Sequence, residues 1–268
     1  MVKKIIFVSI LFSLVSARVF AQTTETVSVN AVAEQKPSVL KEGLELEHAG
    51  KYLEALDIYN AVQAKKTLSK KSAKKLRDRI EKLNIKLLFS PTLTPGSVIY
   101  EVKDGDSLYA VARAYGTTRA MIKKSNHLED DTIKVGMKLK VLDHATFMIH
   151  VDKSKNMMVV YMNRKVLKHY RVATGIGGAT PVGEFKIINK IENPTWYKTG
   201  TVVEPGDPKN YLGTRWLGLD APGYGIHGTT SPESIGHQTT SGCVRMLNRE
   251  VEELFIFIPQ GTVVKITE

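Results

Sequence analysis

The chain has 268 residues, of which 43% are hydrophobic, and it carries a formal net charge of +11. A chain of this length and composition can bury ordinary cores in two or three domains, which excludes a fully disordered protein. Most of the positive charge is confined to Lys65–Lys86, where ten basic residues stand against two acidic ones. Because the remainder is close to balanced, the composition gives no support for a nucleic-acid partner.

Residues 1–21 have the organisation of a secretory signal. Lys3 and Lys4 precede the apolar run Ile5–Val15, and Val19-x-Ala21 supplies a small-residue cleavage site. The apolar run is well short of the roughly 20 residues that a membrane helix needs. We therefore predict that this segment is removed on export. The mature chain is then expected to be soluble outside the cytoplasm, with no membrane span.

Residues 22–37 are polar and aperiodic, which is typical of a flexible spacer. Helical periodicity follows over residues 38–90, with Gly50 as the break between the first two helices. The segment Gly50–Tyr59 resembles the middle of a tetratricopeptide repeat. Only one copy is present, whereas about three are normally needed for a stable array. We predict an N-terminal α-helical hairpin or bundle.

The third helix of this region, Ser69–Phe89, carries the basic residues together with an apolar stripe. The stretch Lys65–Lys86, which begins four residues before this helix, has a net charge of +8, which equals the whole charge that remains after the signal is removed. Two interpretations stay open. In the first, the bundle is a spacer whose basic face is solvated. In the second, the helices form a hairpin that binds a protein partner, and the basic face of the hairpin meets anionic envelope polymers.

Residues 91–97 read as a Pro/Gly linker, and a compact unit follows over residues 98–142. A short strand, Ile99–Val102, leads into a helix that Asp106 or Ser107 is expected to cap. A second helix runs from about residue 118 to residue 125, and Lys138–Leu142 is the last strand. This order predicts a small β-α-α-β module.

The unit resembles the LysM module throughout its length. The matching positions are Tyr100, Val102, Gly105-Asp106-Ser107-Leu108, Ala112, Tyr115-Gly116, Ile122, Asn126, Ile133, Gly136 and Leu139. The resemblance implies binding of glycans that contain N-acetylglucosamine, which in bacteria is peptidoglycan. The glycan-binding positions that it implies are Gly105, Asp106 and Ser107 on one loop and Ile133, Lys134 and Val135 on the other. Tyr109 departs from the family, where tryptophan is frequent.

From Thr146 onward the apolar pattern changes to a period of two, which is typical of strands. The predicted strands are Phe147–Val151, Met157–Met162, Val166–Thr174, Glu184–Lys190 and Thr262–Thr267. A single helix, Arg249–Ile258, is expected after an Asn248 cap. The pattern predicts a mostly-β, sandwich-like domain over residues 146–268 with one helix.

Cys243 is the only cysteine of the sequence, so it is expected to be a free thiol. Gly242 and the polar run His237–Ser241 make a poor core environment, which favours reactivity over packing. Because Arg245 lies close by, we expect an electropositive loop that lowers the pKa of the thiol. His227 lies sixteen positions earlier, at the end of a short apolar strand, and is the candidate base.

The segment IHGTTSPESIGHQTTSGCVRM resembles the active-site signature of the L,D-transpeptidase (YkuD-like) catalytic domain. The resemblance extends over roughly residues 146–268, and its upstream matches are Thr174, Gly175, Thr180, Pro181, Gly183 and Phe185. It implies an exported bacterial enzyme of the periplasm or cell wall that acts on peptidoglycan stem peptides. No cofactor and no metal are expected.

The chemistry that this resemblance implies is cysteine acyl transfer. Cys243 attacks an L,D peptide bond of a tetrapeptide stem to give a thioester, which a second stem resolves into a 3→3 cross-link. His227 acts as general base and acid, oriented by the carbonyl of Gly228. The amides of Gly242 and Cys243 stabilise the oxyanion, and Arg245 holds a substrate carboxylate.

Ser241 departs from the family pattern, because many members have histidine there; we expect it to tune the loop, with His237 partly replacing the missing ring. Other outcomes of the same thioester stay open, namely exchange of D-amino acids, attachment of a protein, and hydrolysis as an L,D-carboxypeptidase. A catalytically degenerate LysM wall-binding protein is the alternative from another class. Peptidases of the NlpC/P60 kind have the cysteine before the histidine, the reverse of the order here, and no zinc-peptidase spacing is present.

Overall fold

A computed structural model of the chain describes residues 35–198 and 200–268. The predicted signal and residues 22–34 of the predicted spacer lie outside the described residues. Residues 39–268 form one compact unit. None of the helices in the described ranges combines the length and the apolar character that a membrane crossing needs.

Three helices open the described chain: α1 (Gln35–His48), α2 (Tyr52–Ala64) and α3 (Lys70–Leu88). The first begins inside the predicted spacer, so its residues 35–37 are helical and not aperiodic. The start of α3 is set by Ser69, whose Oγ accepts a hydrogen bond from the N–H of Ser72 at 3.2 Å. The side chains that α2 and α3 bury together are Ala55, Tyr59, Leu76, Ile80 and Leu83. The predicted helical bundle is confirmed.

A small module follows, built from β1 (Ser97–Glu101), α4 (Leu108–Ala114), α5 (Arg119–Ser125) and β2 (Lys138–Leu142). The two strands pair antiparallel, and the module has its own apolar core around Val102, Leu108 and Leu139. Of the two predicted helix caps, Ser107 is the one used, because its Oγ accepts from the N–H of Ala110 at 3.2 Å. The carboxylate of Asp106 instead accepts from the hydroxyl of Tyr100 at 2.6 Å.

The module is packed against the rest of this compact unit. Lys140 is only 1% exposed, and its Nζ donates to the carbonyls of Leu87 at 2.7 Å and Ser90 at 2.9 Å. These acceptors lie at the carboxyl end of α3, where helical carbonyls lack partners within the helix. Met121 and Leu142 belong to the large apolar core of the C-terminal half. The module is therefore fixed to both of its neighbours in sequence.

In the described part of the C-terminal half, there are twelve strands and one α-helix. The strands are β3 (Phe147–Asp152), β4 (Met157–Met162), β5 (Lys165–Arg171), β6 (Thr174–Gly175), β7 (Gly183–Glu192), β8 (Trp196–Lys198), β9 (Thr201–Val203), β10 (Arg215–Leu219), β11 (Gly225–His227), β12 (Gln238–Thr240), β13 (Val244–Arg245) and β14 (Val263–Thr267); the helix is α6 (Asn248–Phe257).

Eight of these strands form one sheet in the order β13-β11-β10-β7-β14-β3-β4-β5. Alternate residues of the strands face a common core, as Ile149 and Val151 of β3 and Val264 and Ile266 of β14 illustrate. Two smaller pairs lie outside this sheet, the parallel pair β6–β12 and the antiparallel hairpin β8–β9. The mostly-β fold with a single helix is confirmed. The predicted strand Val166–Thr174 is divided, because β5 ends at Arg171 and β6 begins at Thr174.

Helix α6 buries Val251, Leu254 and Phe257 in the core. The predicted Asn248 cap is wrong, because the capping position is Leu247 and Asn248 is the first helical residue. Its side-chain oxygen instead accepts hydrogen bonds from the backbone N–H groups of Thr214 and Thr229.

Candidate active site

The residues of the active-site signature meet at one edge of the main sheet. Strands β11 and β13 pair in parallel, with Ile226 opposite Val244 and His227 opposite Arg245. Cys243 immediately precedes β13, so it lies two positions before Arg245, the residue that is paired with His227 on the adjacent strand. A separation of sixteen residues in sequence is thus closed by strand pairing.

His227 is 3% exposed, and its surroundings fix both the charge and the tautomer of the ring. Its Nδ1 lies 2.7 Å from the carbonyl oxygen of Gly228. Because a carbonyl only accepts, the proton is on Nδ1, and Nε2 is the unprotonated nitrogen of the neutral ring. Burial lowers the pKa of His227 to about 4, and the nearby Arg245 acts in the same direction. The ring is therefore neutral at neutral pH and can take a proton on Nε2.

Trp216 of β10 covers one face of this imidazole. The two ring centroids are 5.9 Å apart with an interplanar angle of 21°, and Trp216 pairs with His227 across the strands. The stacked indole restricts rotation of the imidazole and keeps water from that face.

Cys243 is half-buried, and its Sγ lies 3.5 Å from the carbonyl oxygen of Gly223. Burial raises the pKa of the Cys243 thiol, although a backbone hydrogen bond from Gly225 and the charge of Arg245 both lower it. The expectation of a depressed thiol pKa is thus wrong, because desolvation of the thiolate outweighs the cation. A thiol that stays protonated at neutral pH needs a base before it can act as a nucleophile.

The loop that carries the cysteine can be built only with glycine at position 242. Gly242 has φ +135°, and a Cβ there would lie 2.6 Å from the ring of Tyr224. Its N–H donates to Thr240 Oγ1 at 3.1 Å, and that hydroxyl donates to the carbonyl of Cys243 at 2.7 Å. Ser241, between them, is exposed.

Arg245 presents a guanidinium with spare donors. Its Nη1 donates to Ser234 Oγ at 3.1 Å, and its Nε is buried without a hydrogen-bond partner. Within the described ranges, no carboxylate lies within 4.0 Å of it. Since a buried N–H without a partner costs free energy, the arrangement suits an acceptor that arrives with a ligand.

The loop between β6 and β7 packs against the cysteine loop. Gly175 donates its N–H to Thr180 Oγ1 at 2.7 Å, which closes the loop on itself. The carbonyl of Ala179 would lie 3.0 Å from a Cβ at Gly242. From the other side, Lys153 Nζ donates to the carbonyl of Gly178 at 3.0 Å. The Thr-Gly and Thr-Pro matches of the sequence thus lie beside the cysteine loop.

Two parts of the chain are similar to known protein families. Residues 146–266 match the L,D-transpeptidase catalytic domain, YkuD, and residues 100–142 match the LysM domain. Putative L,D-transpeptidase YkuD of Bacillus subtilis (strain 168) is 35% identical to the chain over 173 residues, which is 62% of this chain and 97% of that protein. Putative L,D-transpeptidase YqjB of the same organism is 47% identical over 124 residues, which is 44% of this chain and 69% of that protein.

The chain belongs to the YkuD family of L,D-transpeptidases. Among solved structures, the NMR structure of the catalytic domain from E. faecium L,D-transpeptidase is similar at 28% sequence identity. The likeness covers 45% of this chain and 95% of that one, with a TM-score of 0.38.

In the LysM domain of this L,D-transpeptidase family member, the two candidate glycan-binding loops lie side by side. Gly136 donates its N–H to the carbonyl of Val102 at 2.8 Å, and Val102 donates to the carbonyl of Met137 at 2.9 Å. These bonds hold the loop after β1 beside the loop before β2. The loop residues Gly105, Ser107, Lys134 and Val135 are exposed, and Asp106 and Ile133 are half-buried.

Two residues that contact the candidate site, Trp216 and Asn248, are not evident from the sequence. The stacking of Trp216 depends on the register of β10 with β11, which no local pattern reveals. Asn248 has the residue type of a helix cap, and that common role conceals its contacts with distant loops. His237, expected near the cysteine, is exposed, and its backbone N–H donates to the carbonyl of Ser234 at 3.2 Å.

Proposed function

We propose that this L,D-transpeptidase family member is an exported enzyme that cross-links peptidoglycan stems through a thioester on Cys243. The observation that carries the proposal is the state of His227, a neutral ring with its proton on Nδ1 and its Nε2 unprotonated, on the strand that pairs with the one that Cys243 precedes. Family membership and the LysM domain support a wall transpeptidase that binds peptidoglycan.

In the acylation step, Nε2 of His227 takes the proton of the Cys243 thiol as Sγ attacks the carbonyl of the L-centre diamino acid. The tetrahedral intermediate collapses as the bond to the terminal D-residue breaks. The imidazolium returns its proton to the leaving amine, which leaves a thioester and a neutral His227. The atoms and protons of this step balance without a cofactor.

In the second step, the amine of another stem attacks the thioester, gives its proton to Nε2 of His227, and forms the cross-link. The proton then passes to Sγ as the thiol leaves. If water attacks instead, the product is a shortened stem, as from an L,D-carboxypeptidase. A free D-amino acid as acceptor gives exchange.

The oxyanion of both steps is proposed to be stabilised by the backbone amides of Cys243 and Gly242. Each such donor contributes about 3–4 kcal/mol to transition-state stabilisation in other acyl-transfer enzymes. The N–H of Gly242 is bonded to Thr240 Oγ1 in this structure, so it serves the oxyanion only when that hydroxyl turns away. The Cys243 amide is therefore assigned the larger share.

Arg245 is proposed to hold a carboxylate of the substrate. Its buried Nε lacks a partner, and its Nη1 donates to Ser234. Two further N–H groups of the guanidinium can therefore bind a carboxylate in a bidentate arrangement. We assign the exposed Ser241 and His237 to the rim of the same site.

The LysM domain is proposed to hold the enzyme on glycan strands through its loops Gly105–Ser107 and Ile133–Val135. Retention on a polymer raises the local concentration of stems at the catalytic site. Export through residues 1–21, and a place in the periplasm or cell wall, follow from the same substrate.

The test is incubation of the full-length mature chain with purified disaccharide-tetrapeptides, followed by mass analysis of both protein and muropeptides. We expect an acyl-enzyme whose added mass equals the stem less its terminal D-residue, and cross-linked dimers. An acyl-enzyme with only shortened stems would assign hydrolysis as the reaction. Absence of both adduct and product would instead favour the degenerate wall-binding protein.

A further inference from the structure

The peptide group between Gly228 and Thr229 is held at both of its ends. Its carbonyl oxygen accepts the Nδ1 proton of His227 at 2.7 Å. Its N–H, the one of Thr229, donates to Oδ1 of Asn248 at 2.9 Å. The carbonyl and the amide of one peptide group point in opposite directions. A bond that fixes the amide therefore also fixes where the carbonyl points.

Asn248 accepts a second bond at the same oxygen, from the N–H of Thr214 at 3.3 Å. Thr214 lies immediately before β10, the strand that carries the stacked Trp216. One side-chain oxygen thus joins the loop after the imidazole to the strand that covers it.

The space around this oxygen is filled by backbone. A Cβ at Gly228 would lie 2.1 Å from Oδ1 of Asn248, and a Cβ at Gly213 would lie 2.2 Å from it. Both positions therefore need glycine for the side chain to enter. The asparagine is itself held by α6, whose next turns are anchored in the core through Val251 and Leu254.

We propose that Asn248 is a positioning residue, which sets the tautomer of His227 by clamping the Gly228–Thr229 peptide. If Oδ1 is absent, the Thr229 amide loses its acceptor and the peptide can rotate. The Gly228 carbonyl then leaves Nδ1, and the imidazole proton can occupy Nε2. In that tautomer Nε2 no longer accepts the thiol proton, so catalysis fails although Cys243 and His227 are intact. The catalytic consequence rests on the proposed function, whereas the tautomer does not.

The test compares Asn248→Leu, which keeps the approximate volume without an acceptor, with Asn248→Asp, which keeps an acceptor oxygen. The first measurement is ¹⁵N NMR of the imidazoles in the full chain, with the His227 signals identified by their loss in His227→Gln. The second is turnover of a soluble tetrapeptide stem, with kcat and KM separated. Asn84→Leu is the matched control, since Asn84 lies on another helix and donates to the carbonyl of Leu167 at 3.0 Å.

We expect the Nδ1–H form in the parent chain, in Asn248→Asp and in Asn84→Leu, and a substantial Nε2–H population in Asn248→Leu. The kcat of Asn248→Leu is expected to fall by about 100-fold, the lower range for loss of general acid–base catalysis, with KM changed little. Asn248→Asp is expected to recover most of this loss.

An unchanged tautomer in Asn248→Leu would overturn the proposal, as would equal defects in the leucine and aspartate variants. Asn248→Ala replaces the leucine variant if thermal unfolding shows that leucine prevents folding, because alanine is well tolerated in a helix. If the parent chain shows no turnover on stems, the proposed function fails, and the tautomer measurement still decides the role of Asn248.

Discussion

His227 and Arg245 lie directly opposite each other on the parallel strands β11 and β13. The backbone continues this pairing, since Met246 donates its N–H to the carbonyl of His227 at 2.8 Å. A permanent cation thus lies beside the buried imidazole. Burial lowers the pKa of His227, and the charge of Arg245 acts in the same direction, so the ring stays neutral at neutral pH.

The first prediction concerns the proposed nucleophile and base. Cys243→Ala and His227→Gln are each expected to abolish turnover of tetrapeptide stems, because they remove the attacking sulfur and its proton acceptor. Ser241→Ala is the matched control, since Ser241 is exposed, and it is expected to keep most of the rate. Turnover is measured on soluble stems, with circular dichroism to show that the variants fold. Full activity of Cys243→Ala would exclude the thioester.

The second prediction concerns stability and pH. The pKa of His227 is about 4 in the fold against 6.5 unfolded, so between these values the unfolded chain binds more protons and folding loses stability as pH falls. His227 makes its full contribution to the free energy of unfolding above about pH 6.5, and this contribution is lost below about pH 4. The shift corresponds to about 3 kcal/mol. We expect denaturant unfolding to show that the free energy of unfolding of His227→Gln changes less with pH over this range than that of the parent chain. Equal pH dependence in the two chains would contradict the prediction.

The third prediction concerns the reactivity of the thiol. Because burial raises the pKa of Cys243, alkylation by iodoacetamide at neutral pH is expected to be slow and to accelerate as pH rises. Arg245 lowers that pKa, so Arg245→Leu is expected to slow alkylation further, while Arg245→Lys keeps the charge and the rate. The measurement is the second-order rate constant against pH. Faster alkylation in the leucine variant would show that steric access governs the reaction.

The fourth prediction concerns the LysM domain. Val135 is 67% exposed on one candidate glycan loop, and Val135→Asp places a carboxylate there. Retention of the full chain on insoluble peptidoglycan is expected to fall severalfold, while turnover of a soluble stem stays unchanged. Ile188→Asp, at a residue 48% exposed on β7, serves as the control for an added surface charge. Equal retention of both variants would show that Val135 does not contribute to glycan binding.

The fifth prediction concerns the basic face of α3. Lys70, Lys71, Lys74 and Lys75 are all exposed, which fits either a solvated face or an attraction to anionic polymers. Their joint replacement by glutamine is expected to weaken wall binding and reduce its salt dependence, because exposed charges are screened beyond about 8–10 Å. Turnover of a soluble stem is expected to be unchanged.

A matched control for this face replaces four dispersed exposed lysines by glutamine: Lys124, Lys165, Lys186 and Lys265. It removes the same total charge from other surfaces. If both sets weaken binding equally, net charge alone explains the attraction. If neither does at low salt, the face serves solubility.

Much of the fold follows from local pattern. A period of two predicts β4 at Met157–Met162, and the turn at Gly136 predicts β2 at Lys138–Leu142, both with the bounds that the structure has, because neighbouring residues alone determine strand faces and turns. The short strands β8, β9 and β12 were not predicted. Three residues carry too little periodicity to be recognised, and they exist only through their partners.

The candidate site divides in the same way. The motif and the order of residues identified His227 and Cys243, because the family signature is contiguous enough to be recognised. The pKa of the thiol could not be predicted, since it depends on how deeply the folded loop is buried. Asn248 illustrates the same limit, because its partners Thr214 and Thr229 are set by tertiary contacts.

The bonds from Lys140 to the carboxyl end of α3, and the core that the LysM domain shares with the main sheet, have a consequence for where the enzyme can work. A domain on a loose tether would let the catalytic site sample every stem within a sphere. Under the proposed function, a domain fixed in this way would hold a bound glycan strand at a constant distance and angle from Cys243. Only a stem that projects at that distance would then reach the thiol, so cross-links would be spaced by the geometry of the protein.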